Sequence, residues 1–140
     1  MDIPKSFEAF PIGYVRSTLK ERTGAPRQAW DGAPDARLEI DPAFVDGLFG
    51  IEPGQDIWIL TWLHESQRSV LKVHPRGDLA NPLPGVFATR SPDRPNPIGL
   101  HRATVLSVDG LGCIQVQALE AIDGTPILDI KPVLQRSCHV

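Results

Sequence analysis

The sequence is poor in the residues that build metal sites and disulfide scaffolds, with two cysteines and four histidines in 140 residues. Cys113 and Cys138 form neither a CxxC pair nor the paired spacing of a zinc site, which excludes a disulfide framework and a structural zinc. Cys113 reads as a strand residue. Histidines 64, 74, 101 and 139 show no HxxxH or HxH pair, so they read as surface or hydrogen-bonding groups and no metal is expected. No run reaches the roughly 18 apolar residues needed to cross a membrane. The start, MDIPKSFEAF, lacks the basic-then-apolar pattern of a targeting segment, so a cytoplasmic location is expected. No GxGxxG follows a strand and no βαβ alternation exists, which excludes a Rossmann domain. A nucleotide-containing cofactor would have to be held in another way.

Turn formers, by contrast, are plentiful: 14 Pro and 12 Gly point to many turns and few long helices. The apolar fraction of 41% and charged fraction of 22% suit one soluble domain over residues 1–140. The net charge of −3 conceals a segregation. Residues 16–27 carry +3, residues 28–67 carry −7 and residues 68–102 carry +4. The two basic segments are candidates for one surface facing an anionic ligand.

Strands are predicted at 10–16 (FPIGYVR), 36–40, 56–64 (DIWILTWLH), 69–74 (SVLKVH), 101–108 and 113–119, with a last one in TPILDIKP. The run 56–64 is apolar on both faces and suits a central strand. Residues 101–119 read as a hairpin around a Gly-bearing turn at 109–112. There, Ala103, Val105 and Ser107 alternate with Thr104, Leu106 and Val108. In the last strand, alternation puts Leu128 and Ile130 on one face and Asp129 and Lys131 on the other. Asp41 before Pro42 predicts a helix start, ending near Gly47 or Gly50. Residues 17–34 read as a long loop with the character of a functional one. Six or seven short strands, long loops and one or two short helices give an all-β fold, a small closed β-barrel.

The most unusual segment is GVFATRSPDRPNPIGL, residues 85–100. Pro92, Pro95 and Pro97 fix φ and push Ser91, Arg94 and Asn96 into extended conformations, so the loop is rigid before anything binds. Asn96 offers both donor and acceptor, while Arg90 and Arg94 suit carboxylate or phosphate. EAIDGTPILDIKP, from Glu120, is a tight turn feeding a strand, and APRQ, residues 25–28, lies within the basic N-terminal loop.

Taken in order, IGYVRS with KERTGAPRQ, WILTWLH, GVFATRSPDRPNPIG and DGTPILDIKP closely resemble the TrmO or TsaA-like methyltransferases over about residues 12–132. The resemblance implies a compact β-barrel, paired as a homodimer, that binds S-adenosyl-L-methionine without a Rossmann fold. Its best-known members methylate N6 of threonylcarbamoyladenosine in tRNA. Carried over by motif, the cofactor contacts fall on Pro26, Arg27 and Gln28, on His64 and Glu65, on Arg90, on Leu100, and on Glu120, Ala121, Ile122 and Asp123. Glu65 stands where the family pattern has Gln, and Glu120 where it has Asp. Bacterial members carry an additional C-terminal domain and archaeal-type members do not; none is expected in these 140 residues.

The implied reaction is an in-line displacement at a sulfonium methyl, in which positioning alone supplies about 7–11 kcal/mol. The acceptor nitrogen needs a base, for which Asp123 and Asp129 are candidates, with Lys131 keeping Asp129 ionised. Arg94 and Asn96 are assigned to the acceptor. Three functions follow from the resemblance: a tRNA methyltransferase, a small-molecule methyltransferase, or a non-catalytic S-adenosylmethionine-binding protein.

Overall fold

A computed structural model describes residues 2–21, 29–73 and 83–135 of the chain. Six strands carry the fold: β1 Gly13–Arg16, β2 Ala36–Ile40, β3 Asp56–Trp62, β4 Ile98–Val108, β5 Cys113–Val116 and β6 Pro126–Pro132. Every pairing is antiparallel, and the order β1-β2-β5-β4-β3-β6 returns to β1, so the ladders run in a complete ring. Each strand has two partners, so none lies at an edge of the sheet along its whole length.

Period-two patterning builds the interior. β2 turns Ala36, Leu38 and Ile40 inward, β3 turns Ile57, Ile59 and Thr61 inward, and β5 contributes Ile114 and Val116. With Val15, Val105, Leu119 and Ile127 the aliphatic side chains among them form one core. Burying each large aliphatic contributes roughly 1.5–3 kcal/mol, and this burial is the main term holding the ring closed.

Two registers depart from simple alternation. β4 bulges between Val105 and Ser107 as it pairs with β5, so Ser107 faces Gln115 outside the ring and Val108 turns towards Ile114 and the core. β6 bulges where Leu60 pairs with Asp129 and Thr61 with Ile127. Leu128 is the extra residue, and the inward pair is Ile127 and Ile130 instead of the expected Leu128 and Ile130. A bulge adds one residue to one strand and bends it, which a ring of only six strands needs in order to close.

Other expectations shift as well. The first strand begins at Gly13 instead of Phe10, and the strand after the 109–112 turn stops at Val116. There, Gln117 N–H leaves β5 for Thr104 O, and Ala118 takes a φ of 47°. The turn itself depends on Gly112, at φ 106°, where a Cβ would also lie 3.0 Å from Ile40 O. No strand forms among the described residues of 69–74; Lys72 makes an isolated bridge to Gly85, and His74 lies outside the described residues. The helix expected after Asp41 is a 3-10 helix, Pro42–Leu48, with Asp41 Oδ1 accepting from Ala43 N–H at 2.9 Å. Its i→i+3 bonds, such as Phe44 N–H to Asp41 O, suit a segment this short that runs into Gly47.

All-antiparallel pairing also decides which connections share an end. β1, β3 and β5 run towards one end and β2, β4 and β6 start from it. The described parts of the connections 17–35, 63–97 and 117–125 therefore start and finish at that end, and the 3-10 helix Pro42–Leu48 and the 109–112 turn lie at the other.

Candidate functional site

The loop end collects the described positions that the resemblance assigns to cofactor or acceptor, apart from three on the strands. His64 and Glu65 are exposed just beyond β3, Arg90, Arg94 and Asn96 lie in the connection to β4, and Glu120–Asp123 lie between β5 and β6. Pro26, Arg27 and Gln28 belong in sequence to the β1–β2 connection and fall outside the described residues. Leu100 is on β4 and points outward, paired with Leu60 of β3. Asp129 and Lys131 are not brought to the loop end. They pair with each other at 3.1 Å on the outer face of β6, and Asp129 borders a cavity of about 360 Å³ with Phe44, Leu48 and Ile51, beside the 3-10 helix.

The proline-rich connection is fixed by two arginines. Arg94 donates from Nε to Ser91 O at 2.7 Å and from Nη2 to Val86 O at 2.9 Å and Thr89 O at 2.6 Å. A planar guanidinium bound to three carbonyls of its own loop acts as an internal clamp, so most of the charge assigned to the acceptor is used in holding residues 86–94. Arg68 stacks over Trp62 at 5.2 Å and donates to Pro95 O at 2.7 Å and to Asn96 Oδ1 at 3.1 Å. Asn96 thus has its acceptor engaged and its amide N–H groups left to donate. Leu63 N–H donates to Pro97 O at 2.8 Å, tying the end of β3 to the start of β4. Arg90 is exposed and, among the described residues, makes no side-chain hydrogen bond or ion pair. It is the cation this loop keeps available.

Residues 117–125 are pinned across the same end. Ala118 N–H donates to Asp35 Oδ1 at 3.0 Å, Leu119 N–H to Pro34 O at 2.9 Å, and Asp123 N–H to Leu19 O at 2.6 Å. Leu119 and Ala121 are buried beneath. Asp123 accepts from Ser17 N–H at 3.0 Å through Oδ1 and meets Lys20 Nζ at 3.1 Å through Oδ2. The Ser17 N–H first, and then Lys20, hold its carboxyl below the usual carboxylate range. A carboxylate with both oxygens engaged and reduced proton affinity is better suited to anchoring residues 17–20 than to taking a proton.

Sequence reasoning did not find the polar cluster inside the ring. His101 Nδ1 is 2.7 Å from Glu120 Oε1, and His101 Nε2 is 2.7 Å from Thr61 Oγ1. The His101 and Glu120 side chains are 6% and 13% exposed. Glu120 Oε2 is buried with no hydrogen-bond partner among the described residues. Gly99 makes the cluster possible. A Cβ there would overlap Thr61 Oγ1 and lie 2.7 Å from His101 Nε2. The signal was present in IGLHRA, where His101 sits in the inward register between Gly99 and Ala103, but a scan for metal pairs does not detect it.

Five of the described cations in the two basic segments are engaged within the fold. Arg16 pairs with Glu39 at 3.0 Å, Lys20 with Asp123, and Arg102 with Asp56 at 3.0 Å. Arg68 and Arg94 are bound to carbonyls. Among the described residues no cluster of three or more His, Cys, Asp or Glu could hold a metal, and no helix is long and apolar enough to cross a membrane.

The chain is 41% identical over 122 residues to a probable S-adenosyl-L-methionine-binding protein of Methanothermobacter thermautotrophicus, covering 87% of this chain and 86% of that one. It is 40% identical over 121 residues to an S-adenosyl-L-methionine-binding protein of Archaeoglobus fulgidus, covering 86% and 85%. Among solved structures it is similar to TrmO of Pseudomonas aeruginosa, at TM-score 0.73 and 33% identity, covering 94% of this chain and 56% of that one. A second TrmO crystal structure gives TM-score 0.74 and 36% identity, covering 96% and 61%. The chain thus spans little more than half the length of those solved proteins. The sequence pattern of the tRNA-methyltransferase O N-terminal domain matches residues 14–138, and the chain belongs to that family.

Proposed function

We propose that the protein binds S-adenosyl-L-methionine at the loop end of the ring and transfers its methyl group to N6 of threonylcarbamoyladenosine in tRNA, in the cytoplasm. We read the ring of ladders as the wall of a small closed barrel with the three long connections at its mouth. The observation that carries the proposal is the gathering of the described family contact positions 64, 65, 90 and 120–123 at that one end.

The residues there fit the cofactor's chemistry. Arg90 suits a carboxylate, the Asn96 amide N–H groups suit carbonyl or ring acceptors, and residues 120–123 supply acceptors for hydroxyl or ammonium donors. The bound cofactor supplies an electrophilic methyl on a sulfonium. The chain's part is to hold donor and acceptor in line: Arg94 and Arg68 keep the proline-rich loop in one conformation, so little ordering remains to be done on binding. Neither Asp123 nor Asp129 is assigned as the base, since Asp123 is committed to Ser17 and Lys20 and Asp129 lies beside the 3-10 helix.

We also propose a homodimer through the outer face of β3 and β4, where Trp58, Leu60 and Trp62 lie beside Ile98 and Leu100, 46% and 43% exposed. Leu100, a family contact position facing away from the interior, then meets cofactor at the join between copies. Light scattering is expected to give twice the chain mass of 15.3 kDa, and Leu100→Glu to give the monomer.

A second reading, binding without transfer to RNA, is favoured by the internal pairing of Arg16, Lys20, Arg68, Arg94 and Arg102. Mass spectrometry of tRNA nucleosides from a deletion strain, with and without the protein restored, separates the two. Loss and restoration of the methylated nucleoside supports transfer to tRNA. Unchanged nucleosides, with calorimetric cofactor binding intact, refute transfer to tRNA and leave a small-molecule acceptor or binding alone.

A further inference from the structure

We infer that His101 is a positioning residue for the cofactor segment, acting through Glu120 from inside the ring. The inference rests on the reading that residues 120–123 contact S-adenosyl-L-methionine. Glu120 Oε1 has His101 Nδ1 at 2.7 Å, and among the described residues Oε2 has no partner, so His101 is this carboxylate's described tie to the fold. A carboxylate only accepts, which makes Nδ1 the donor. Nε2 then accepts from the Thr61 hydroxyl at 2.7 Å, and Thr61 is fully buried. The Glu120 carboxylate thereby sets the tautomer, and Thr61 helps fix the ring orientation. Gly99 leaves the room that the imidazole and hydroxyl occupy. The chain Thr61–His101–Glu120 runs from β3 through β4 to the residues adjoining Ala121, Ile122 and Asp123, and it lets the rigid wall dictate where that segment lies.

Two replacements of His101 separate positioning from simple core filling. An asparagine places its amide nitrogen near the site of Nδ1 and keeps the bond to Glu120 while losing Thr61. A glutamine reaches the site of Nε2 and keeps Thr61 while losing Glu120. Each variant gives up one buried hydrogen bond, so melting temperature alone does not distinguish them. Calorimetric titration with S-adenosyl-L-methionine does. His101→Asn is expected to bind within about threefold of the unmodified protein and His101→Gln about tenfold more weakly. Equal affinities for the two folded variants, or parent-like binding by His101→Gln, would overturn the inference.

Histidine-selective ¹⁵N spectra of the unmodified protein give a second measurement that needs no variant. The His101 Nδ1–H signal is expected to be visible and to shift as S-adenosyl-L-methionine is added; an unmoved signal at saturation overturns the coupling. Absence of any binding by the unmodified, folded protein is a different failure, and it removes the cofactor reading together with this one.

Discussion

Gly99→Ala is the most direct test of the interior packing. The added methyl would overlap Thr61 Oγ1 and sit 2.7 Å from His101 Nε2 and 3.1 Å from Leu63 Cδ2. Thr61 and His101 are 0% and 5% exposed, so neither can swing into solvent to make room. Overpacking costs typically about 1–3 kcal/mol, and the Thr61–His101 hydrogen bond that must open is worth about 1 kcal/mol more. A loss of roughly 2–4 kcal/mol is expected, lowering the melting temperature of a chain this size by roughly 6–15 °C. Urea unfolding followed by circular dichroism measures it. The double variant Gly99→Ala with Thr61→Ala sharpens the test, because removing Oγ1 removes the closest overlap and leaves room for the His101 ring to shift away from the remaining 2.7 Å contact. The pair is expected to be about as stable as Thr61→Ala alone, a coupling of 1 kcal/mol or more. A Gly99→Ala protein within about 0.5 kcal/mol of the parent, or strict additivity in the cycle, would refute the reasoning.

Arg94→Ala frees three loop carbonyls at once and is expected to cost about 2–3 kcal/mol of stability and to weaken cofactor binding through loss of loop order. Arg94→Lys should not rescue it, since an ammonium lacks the planar fork; full rescue by Lys, read by thermal melting and calorimetry, would contradict the clamp. Arg90→Ala, at an exposed side chain with no described partner, is expected to leave stability within about 0.5 kcal/mol and to reduce S-adenosyl-L-methionine affinity about tenfold or more, a split that calorimetry with urea melts would detect. Asp123 titrates below the usual range because of Ser17 N–H and then Lys20. Its stabilisation is therefore complete above the unfolded carboxylate value near pH 4 and is lost as pH falls through the lowered folded value. Asp123→Asn should reduce stability at neutral pH and flatten the acid limb; parallel curves for the two proteins would exclude the contribution.

Much of this architecture was legible from local pattern. β2 matched its predicted bounds at Ala36 and Ile40, and the cap at Asp41 formed because a short acceptor side chain before Pro42 has few other uses. What alternation could not reveal was the pair of bulges near Leu106 and Leu128. Each is a response to closing a small ring, a long-range condition with no local signature, and each reverses the facing of residues beyond it. For the same reason Ser107 does not share a face with Ala103 and Val105, nor Leu128 with Ile130. The strings RSPDRPNPIG and DGTPILDIKP mark connections at the loop end, but Arg94 reads as a ligand contact in sequence and is a clamp in the fold, because backbone carbonyls close in space are invisible in a string of letters. His101 was overlooked for the opposite reason: its partners, Thr61 and Glu120, are 40 residues before it and 19 residues after it.

Ring closure also has a consequence for how the chain is made. Gly13 pairs with Ile127 and Tyr14 with Pro126, while β3 pairs with the same late strand from Ile57 to Thr61. On a ribosome the first five strands emerge ahead of β6. β1 and β3 then each present an unpaired row of backbone groups to the crowded surroundings, the geometry that recruits foreign strands. Hairpins formed early cannot cure this, since both missing partners are the same seven residues, Pro126–Pro132. The nascent chain therefore stays vulnerable until Pro126–Pro132 arrive, and that one segment removes both open rows in one event.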